Sequence, residues 1–169
     1  GCEDRIAGVC DLRYMNIPGI QRRAANGYVA EGGELMPVAD CGDAMSPDME
    51  KVVTLAPDVI IVSPFENGNG QQKLQRTGAP VVLAADYMED NPLGRAEWMK
   101  FYGLLFGCQA KADSLFDVVD STYQMLRQMA IKMRKGRSIL TERKTGPTRY
   151  CAGGRSTIAR LIADANGGY

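Results

Sequence analysis

Histidine is absent from this 169-residue sequence. Its absence removes Ser-His-Asp and Cys-His catalysis, imidazole acid–base work and every metal site that needs an imidazole ligand. A surplus of charge of either sign is also missing, because 20 Lys and Arg balance 20 Asp and Glu. Without a basic excess to neutralise phosphates, nucleic acid is not expected as a partner. No apolar run reaches the ~18–20 residues that a membrane span requires. Aromatics are sparse at 7%, yet 45% of residues are hydrophobic, enough for one domain or two small lobes with real cores.

The five cysteines, Cys2, Cys10, Cys41, Cys108 and Cys151, are dispersed, with no C-x-x-C pair and no metal-ligand spacing. An odd number cannot all pair within one chain. Two readings stay open: small buried side chains, or a single bridge such as Cys10 to Cys41 in an oxidising compartment. Cys2 is read as an ordinary residue, because Glu3-Asp4-Arg5 leads straight into a strand. No metal site and no cofactor are assigned.

Along the chain, short apolar runs alternate with helical patterns. Ile6–Cys10 suits a strand buried on both faces, and a loop-rich stretch with Pro18, Gly19, Gly27, Gly32 and Gly33 follows it. Val38–Cys41 is a short strand. Ser46-Pro47-Asp48-Met49-Glu50 reads as a helix start, with Ser46 as the N-cap and Pro47 at the first helical position. That helix turns Met49, Val52, Val53 and Leu55 inward and stops before Pro57. Asp58–Ser63 and Pro80–Ala85 are further strands, separated by a Pro64–Gly70 loop and a short helix at 71–76. The alternation predicts an α/β fold, a parallel-sheet Rossmann-like lobe over residues 1–91, with ligand loops at the carboxyl ends of its strands.

From Pro92 the pattern turns helical. Leu93–Phe106 forms one helix, with Trp98, Phe101 and Leu105 on one side, and ends at Gly107. A second runs from Ala110 to Arg134, with Ala112, Leu115, Phe116, Val119, Tyr123, Leu126, Met129 and Met133 at three- and four-residue spacing. At 1.5 Å per residue it extends roughly 37 Å, long enough to connect two bodies. Residues 92–135 are therefore read as backbone helices and 136–169 as the beginning of a second lobe. Ser138–Thr141 is its strand, Glu142–Gly154 a polar loop, and Ser156–Ala165 a helix with Ile158, Leu161 and Ile162 inward. One strand and one helix do not complete a lobe, so more chain or another copy is expected to complete it.

Three segments together bring a family into view. Met45-Ser46-Pro47-Asp48-Met49-Glu50 through Leu55-Ala56-Pro57-Asp58-Val59-Ile60 resembles the "N-x-E … L-x-P-D" signature of helical-backbone substrate-binding proteins of ABC importers, which capture ferric siderophores, haem or cobalamin. Asn91–Trp98 with the long helix is similar to the start of that family's interlobe backbone. Tyr150-Cys151-Ala152-Gly153-Gly154-Arg155-Ser156 through Asn166-Gly167-Gly168-Tyr169 is similar to the first strand–loop–helix of its second lobe. Family members usually begin one strand and helix earlier and continue for most of a second lobe, so the chain looks like the middle of such a protein.

The resemblance implies a periplasmic or extracytoplasmic protein, lipid-anchored in some precursors, that captures a ligand between two lobes and delivers it to a membrane permease. It implies that Glu50 docks on that ABC permease; the other reading of Glu50 is a first-turn acid favoured by the helix dipole at ~0.3–1 kcal/mol. Ligand contacts are expected from the loop residues Tyr14, Met45, Phe65 and Tyr87, and from Tyr150 and Arg155 further on. Gly153–Ser156 reads either as an anion cradle with the Arg155 guanidinium or as a plain turn and N-cap. The lack of histidine points away from bare zinc or manganese and from His-ligated haem, and towards a chelate or corrinoid held by Tyr and Arg. Two other classes stay open: a Rossmann-like enzyme using a Cys or carboxylates, and a non-catalytic fragment forming a homodimer by strand exchange. Gly68-Asn69-Gly70 is not a phosphate loop, since no Lys-Ser/Thr follows.

Overall fold

The computed structural model describes residues 3–26, 37–64 and 68–169. Its contacts divide into two compact units, Gly1–Ala85 and Asp86–Tyr169. In the first, β1 (Gly8–Val9) is followed by a single helical turn at Leu12–Tyr14 and by α1 (Pro18–Asn26). Helix α1 occupies part of the stretch expected to be loop. Pro18 sits in its first turn, where a missing N–H costs nothing, and Ile20 is only 1% exposed. The buried Arg23 guanidinium donates to the backbone carbonyls of Glu3 and Ile6, tying the segment before β1 onto this helix.

Strand β2 (Ala39–Asp40) pairs in parallel with β1, Gly8 opposite Ala39 and Val9 opposite Asp40. The chain then turns back on itself in a tight antiparallel hairpin of β3 (Gly42–Asp43) and β4 (Ser46–Pro47). Helix α2 (Met49–Leu55) follows, and its N-cap is Asp48, whose carboxylate accepts from Lys51 N at 3.2 Å. The expected cap, Ser46, is instead committed to β4, because its pairing with Asp43 holds the backbone extended. Helix α2 ends at Ala56, in left-handed geometry, just ahead of Pro57. Val52 is buried, but Val53, expected inward, is 59% exposed on the opposite face.

A second parallel pair joins β5 (Ile60–Val62) to β6 (Val81–Leu83), connected through α3 (Gly68–Gln75). The Gly68-Asn69-Gly70 segment therefore opens this helix and is not part of a loop. Cys41, Val52, Val62 and Leu74 form the buried cluster, with Cys10, Ala39, Met49, Leu55, Ile60 and Val81 packed against it. Each fully buried aliphatic side chain of this kind contributes about 1.5–3 kcal/mol, so the two parallel pairs, α2 and α3 share one source of stability.

The second unit is built on two helices. Helix α4 (Pro92–Leu105) is capped by the Asn91 side chain, which accepts from Leu93 N at 3.1 Å, and α5 (Gln109–Lys132) runs unbroken for 24 residues. Gly107, at φ +68°, makes the turn between them. Gly103 lets the two helices approach closely, since a side chain there would collide with Ala112. Along α4 the Phe101 ring meets those of Trp98 and Tyr102 edge to face, and Trp98 and Tyr102 are tilted to each other. On α5 only Ala112 is fully buried; Leu115, Leu126 and Met129, at helical spacing from it, stay exposed, as does Met133 just past the helix end.

The remaining elements depart from expectation in three ways. Ser138–Thr141 forms no strand; a single bridge joins Ser138 to Gly168. The expected polar loop is an antiparallel hairpin of β7 (Glu142–Thr145) and β8 (Thr148–Cys151), turned at Gly146 with φ +61°. Helix α6 (Thr157–Asp164) does start at a Ser156 N-cap, but it buries Ala159 and leaves Ile158 and Leu161 exposed.

Asp48→Ala is expected to lower the unfolding free energy by about 1 kcal/mol, and Ser46→Ala by less than about 0.5 kcal/mol. Urea denaturation of the two variants checks this, and equal losses would return the cap to Ser46.

Candidate functional site

In the first unit the loops after β1 and β2 are tied together by Asp11. It adopts left-handed geometry at φ 51°, a conformation that Asp tolerates better than most residues. From there its N–H donates to the Gly42 carbonyl at 2.7 Å, and its carboxylate accepts from Ala44 N at 3.2 Å. Tyr14, at the end of the helical turn, and Met45, at the hairpin tip, consequently stand on one strand-end edge. Tyr14 is 72% exposed, with the Arg13 guanidinium 4.6 Å from its ring centroid. Met45 is exposed too, and its N–H is held by the Asp43 carboxylate at 2.7 Å. Phe65, the third residue expected there, lies outside the described residues.

The second unit brings two more of the expected residues onto neighbouring segments. Thr157 Oγ1 donates to the Glu89 carbonyl at 2.6 Å, so the start of α6 is joined to the turn carrying Tyr87. Glu89 is itself oriented by Trp98, whose indole N–H donates to its carboxylate at 2.9 Å. Arg155 sits in the turn just before α6, exposed, two residues from Thr157. Gly153 accepts from Ser156 N, and Ser156 Oγ accepts from Ala159 N at 3.2 Å, so this segment has the geometry of a turn and N-cap. Tyr150 lies on β8 opposite Arg143, exposed, on a hairpin whose end is held by the Tyr169 hydroxyl donating to the Ala152 carbonyl.

Helix α6 is fixed to α5 by a polar joint that sequence reasoning missed. Asp164 accepts from the Tyr123 hydroxyl at 2.7 Å, pairs with Arg127 at 3.0 Å and lies 4.0 Å from Arg160. Asn166 donates from its amide to the carbonyls of Ala130, which also accepts from Met133 N, and of Met133, so it anchors to the last turn and cap of α5. Burial and the bond to Asp164 push the Tyr123 phenol up to about 12, against the pull of Arg127 and Arg160.

Glu50 is exposed in the first turn of α2, and among the described residues it makes no ion pair. Its backbone is fixed by the Asp48 cap and by Thr54 Oγ1, which donates to the Glu50 carbonyl at 2.7 Å. Among the described residues no group of three or more Cys, Asp or Glu is placed to hold a metal ion. Burial pushes the Cys41 thiol up, with Lys51 pulling the other way, which is the reverse of what a nucleophilic thiolate needs.

Because the folded state favours the protonated phenol, Tyr123 contributes its full stability below the ordinary tyrosine value near pH 10 and loses it as pH rises towards about 12. Denaturation midpoints measured across this window are expected to fall less steeply in Tyr123→Phe than in the parent. Identical slopes would show that the joint does not hold the phenol's proton.

Comparison with known proteins places this geometry in a wider group. A family model described as "Periplasmic binding protein" matches residues 20–168. An uncharacterized lipoprotein of Methanocaldococcus jannaschii is 31% identical over 96 residues, which is 56% of this chain and 22% of that protein. A second uncharacterized lipoprotein of the same organism is 31% identical over 86 residues, again across 22% of its length. The chain thus spans about a fifth of the curated relatives it matches. Among solved structures, the periplasmic haem-binding protein of Vibrio cholerae superposes with a TM-score of 0.71 at 16% identity, over 98% of this chain and 57% of that one. The Fe3+–Desferal-bound siderophore-binding protein of the same organism gives 0.65 at 22% identity, over 96% and 58%. At these identities the structures show a shared fold.

Proposed function

Because this chain belongs to the periplasmic binding protein family, we propose that it is the ligand-capturing portion of an ABC importer's substrate-binding protein. The ligand class we assign is an iron complex, a siderophore or haem, with cobalamin as the further alternative. The observation that carries the reading is the Asp11 tie. It joins the two loops whose backbones carry the exposed side chains of Tyr14 and Met45, beyond the carboxyl ends of a parallel pair, where open α/β sheets take their ligands. Taken by itself, the second unit presents the phenols of Tyr87 and Tyr150 and the Arg155 guanidinium, groups suited to an anionic, partly aromatic ligand. The similarity to haem- and siderophore-binding structures supports the choice of ligand class.

Delivery follows from Glu50. An exposed carboxylate on a capped helix start is a charge that another molecule can pair with, and an arginine pocket on a membrane permease fits it. A location outside the cytoplasm, on the outer side of that membrane, goes with this role and with the lipoprotein relatives.

Quenching of Trp98 and tyrosine fluorescence on titration with Fe3+–Desferal, haemin and cyanocobalamin tests the capture step. One of the three is expected to saturate, with Tyr14→Ala weakening it by roughly tenfold, about 1.4 kcal/mol. Failure of all three to bind would overturn the ligand class. Glu50→Gln is expected to leave that affinity unchanged while weakening association with the cognate permease in membrane vesicles by about tenfold or more, the scale of a truncated interfacial charge. Equal association of parent and variant would remove Glu50 from the docking surface.

A further inference from the structure

Cys10 and Cys41 stand one step beyond the last paired residues of β1 and β2. Val9 lies opposite Asp40, so the two cysteines are the next positions in the same parallel register. The bond from Cys41 N to the Val9 carbonyl at 2.8 Å is the last in that register; beyond it the pairing shifts by one residue, with Asp11 N donating to the Gly42 carbonyl at 2.7 Å, so the two cysteines sit where the ladder ends and both segments stay tied. Neighbouring strands run about 4.7–4.9 Å apart, within the Cα separation of about 4.4–6.8 Å that a disulfide spans.

The two sulfurs also share a face. Cys10 follows β1 at a bend, and its side chain packs against the buried cluster that contains Cys41 and, with Leu55 beside it, lies on the Gly8 side. A Cβ added at Gly8 would sit 2.9 Å from the Cys41 sulfur, which puts that sulfur on the same side. The Cys10 sulfur lies 3.9 Å from the Cys41 carbonyl oxygen, and both side chains pack in the one apolar cluster of this unit. Cys108 and Cys151 belong to the other unit.

We propose that Cys10 and Cys41 are a disulfide-forming pair that locks β1 to β2 directly beneath the Tyr14–Met45 edge. The oxidant is a disulfide-bearing exchange partner of the kind found outside the cytoplasm; only that setting is borrowed from the function proposed above. Cys10, the less buried of the two, loses its proton and attacks the oxidant's disulfide, releasing one thiol and leaving a mixed disulfide. The Cys41 thiolate then attacks the Cys10 sulfur of that bond and releases the second thiol. Two protons and two electrons pass to the oxidant, and one S–S bond forms in the protein. Cys41 is buried and its thiol is pushed up by that burial, so the more accessible Cys10 is assigned the first attack. The cross-link ties residues 31 positions apart, across α1.

The sequence allows a direct readout, because trypsin places each of the five cysteines on its own fragment: 1–5, 6–13, 24–51, 101–111 and 150–155. The purified chain is incubated with oxidised glutathione, digested without reduction and analysed by mass spectrometry. The expected main product is fragment 6–13 joined to fragment 24–51, two hydrogens lighter than their sum. The oxidised chain is expected to unfold at a higher temperature than the reduced one, a difference abolished in Cys10→Ser and retained in Cys108→Ser. Cys10→Ser is preferred over Cys41→Ser because it spares the buried core position. Fragments 6–13 and 24–51 recovered unlinked, either of them joined to 1–5, or a linkage found only between two molecules would overturn the proposal. The oxidant is supplied in the test, so its outcome is independent of whether the chain binds a chelate.

Discussion

Parallel pairing is the constraint on which the rest of the first unit depends. Two parallel strands cannot be closed by a short hairpin, so each must deliver its chain to the same edge and send it on from there. In β1 and β2 that edge is where the peptide turns sharply: at Asp11 in left-handed geometry, and at Gly42 entering the β3–β4 hairpin. The carboxylate of Asp11 closes the arrangement by accepting from Ala44 N. Tyr14 and Met45 are exposed, yet their backbones are fixed, which is the condition for a surface that binds without first paying to order itself.

The second unit solves a different problem, that of holding a short helix and a hairpin on a long helical frame with little buried apolar area. Its answer is polar and directional. Asp164 collects Tyr123 and Arg127 of α5, Asn166 donates to two carbonyls at the end of that helix, and Thr157 reaches the Glu89 carbonyl. Such bonds fix orientation more than they add stability, since each hydrogen bond is worth about 0.5–1.5 kcal/mol net. They set the position of Arg155 relative to Tyr87, whereas apolar packing of α6 through Ala159 alone would leave it free to slide.

Much of this was legible in the sequence wherever a local signal had no competitor. Three β-branched residues at Ile60–Val62, Asn91-Pro92 before α4, Gly107 after it and Ser156 before α6 all act within a few residues of themselves, and each marks the element it implies. The errors arose where two local preferences compete or where a partner is remote. Ser46 and Asp48 are both good caps, and the choice falls to Asp48 only because Ser46 is drawn into pairing with Asp43. The charged, alternating Glu142–Cys151 run carries no hydrophobic stripe, so its hairpin depends on the turn at Gly146 and on cross-strand pairs such as Glu142 with Arg149. Periodicity groups Leu115, Leu126 and Met129 of α5 on one stripe, but it says nothing about what lies against that stripe, and all three are exposed. For the site, the loop residues follow from strand ends; the bonds that bring them together, Asp11 to Ala44 and Thr157 to Glu89, link residues 33 and 68 positions apart and leave no trace in local pattern.

The central claim is that ligand arrives at the carboxyl edge of β1 and β2. Hydrogen–deuterium exchange read at single-residue resolution, with and without a saturating ferric chelate, addresses it most directly. The account predicts slower exchange concentrated at 11–15 and 43–47 in the first unit, while the backbone of α5 between residues 113 and 121 is unchanged. Protection confined to α5, or none at the Asp11 and Ala44 amides, would contradict it.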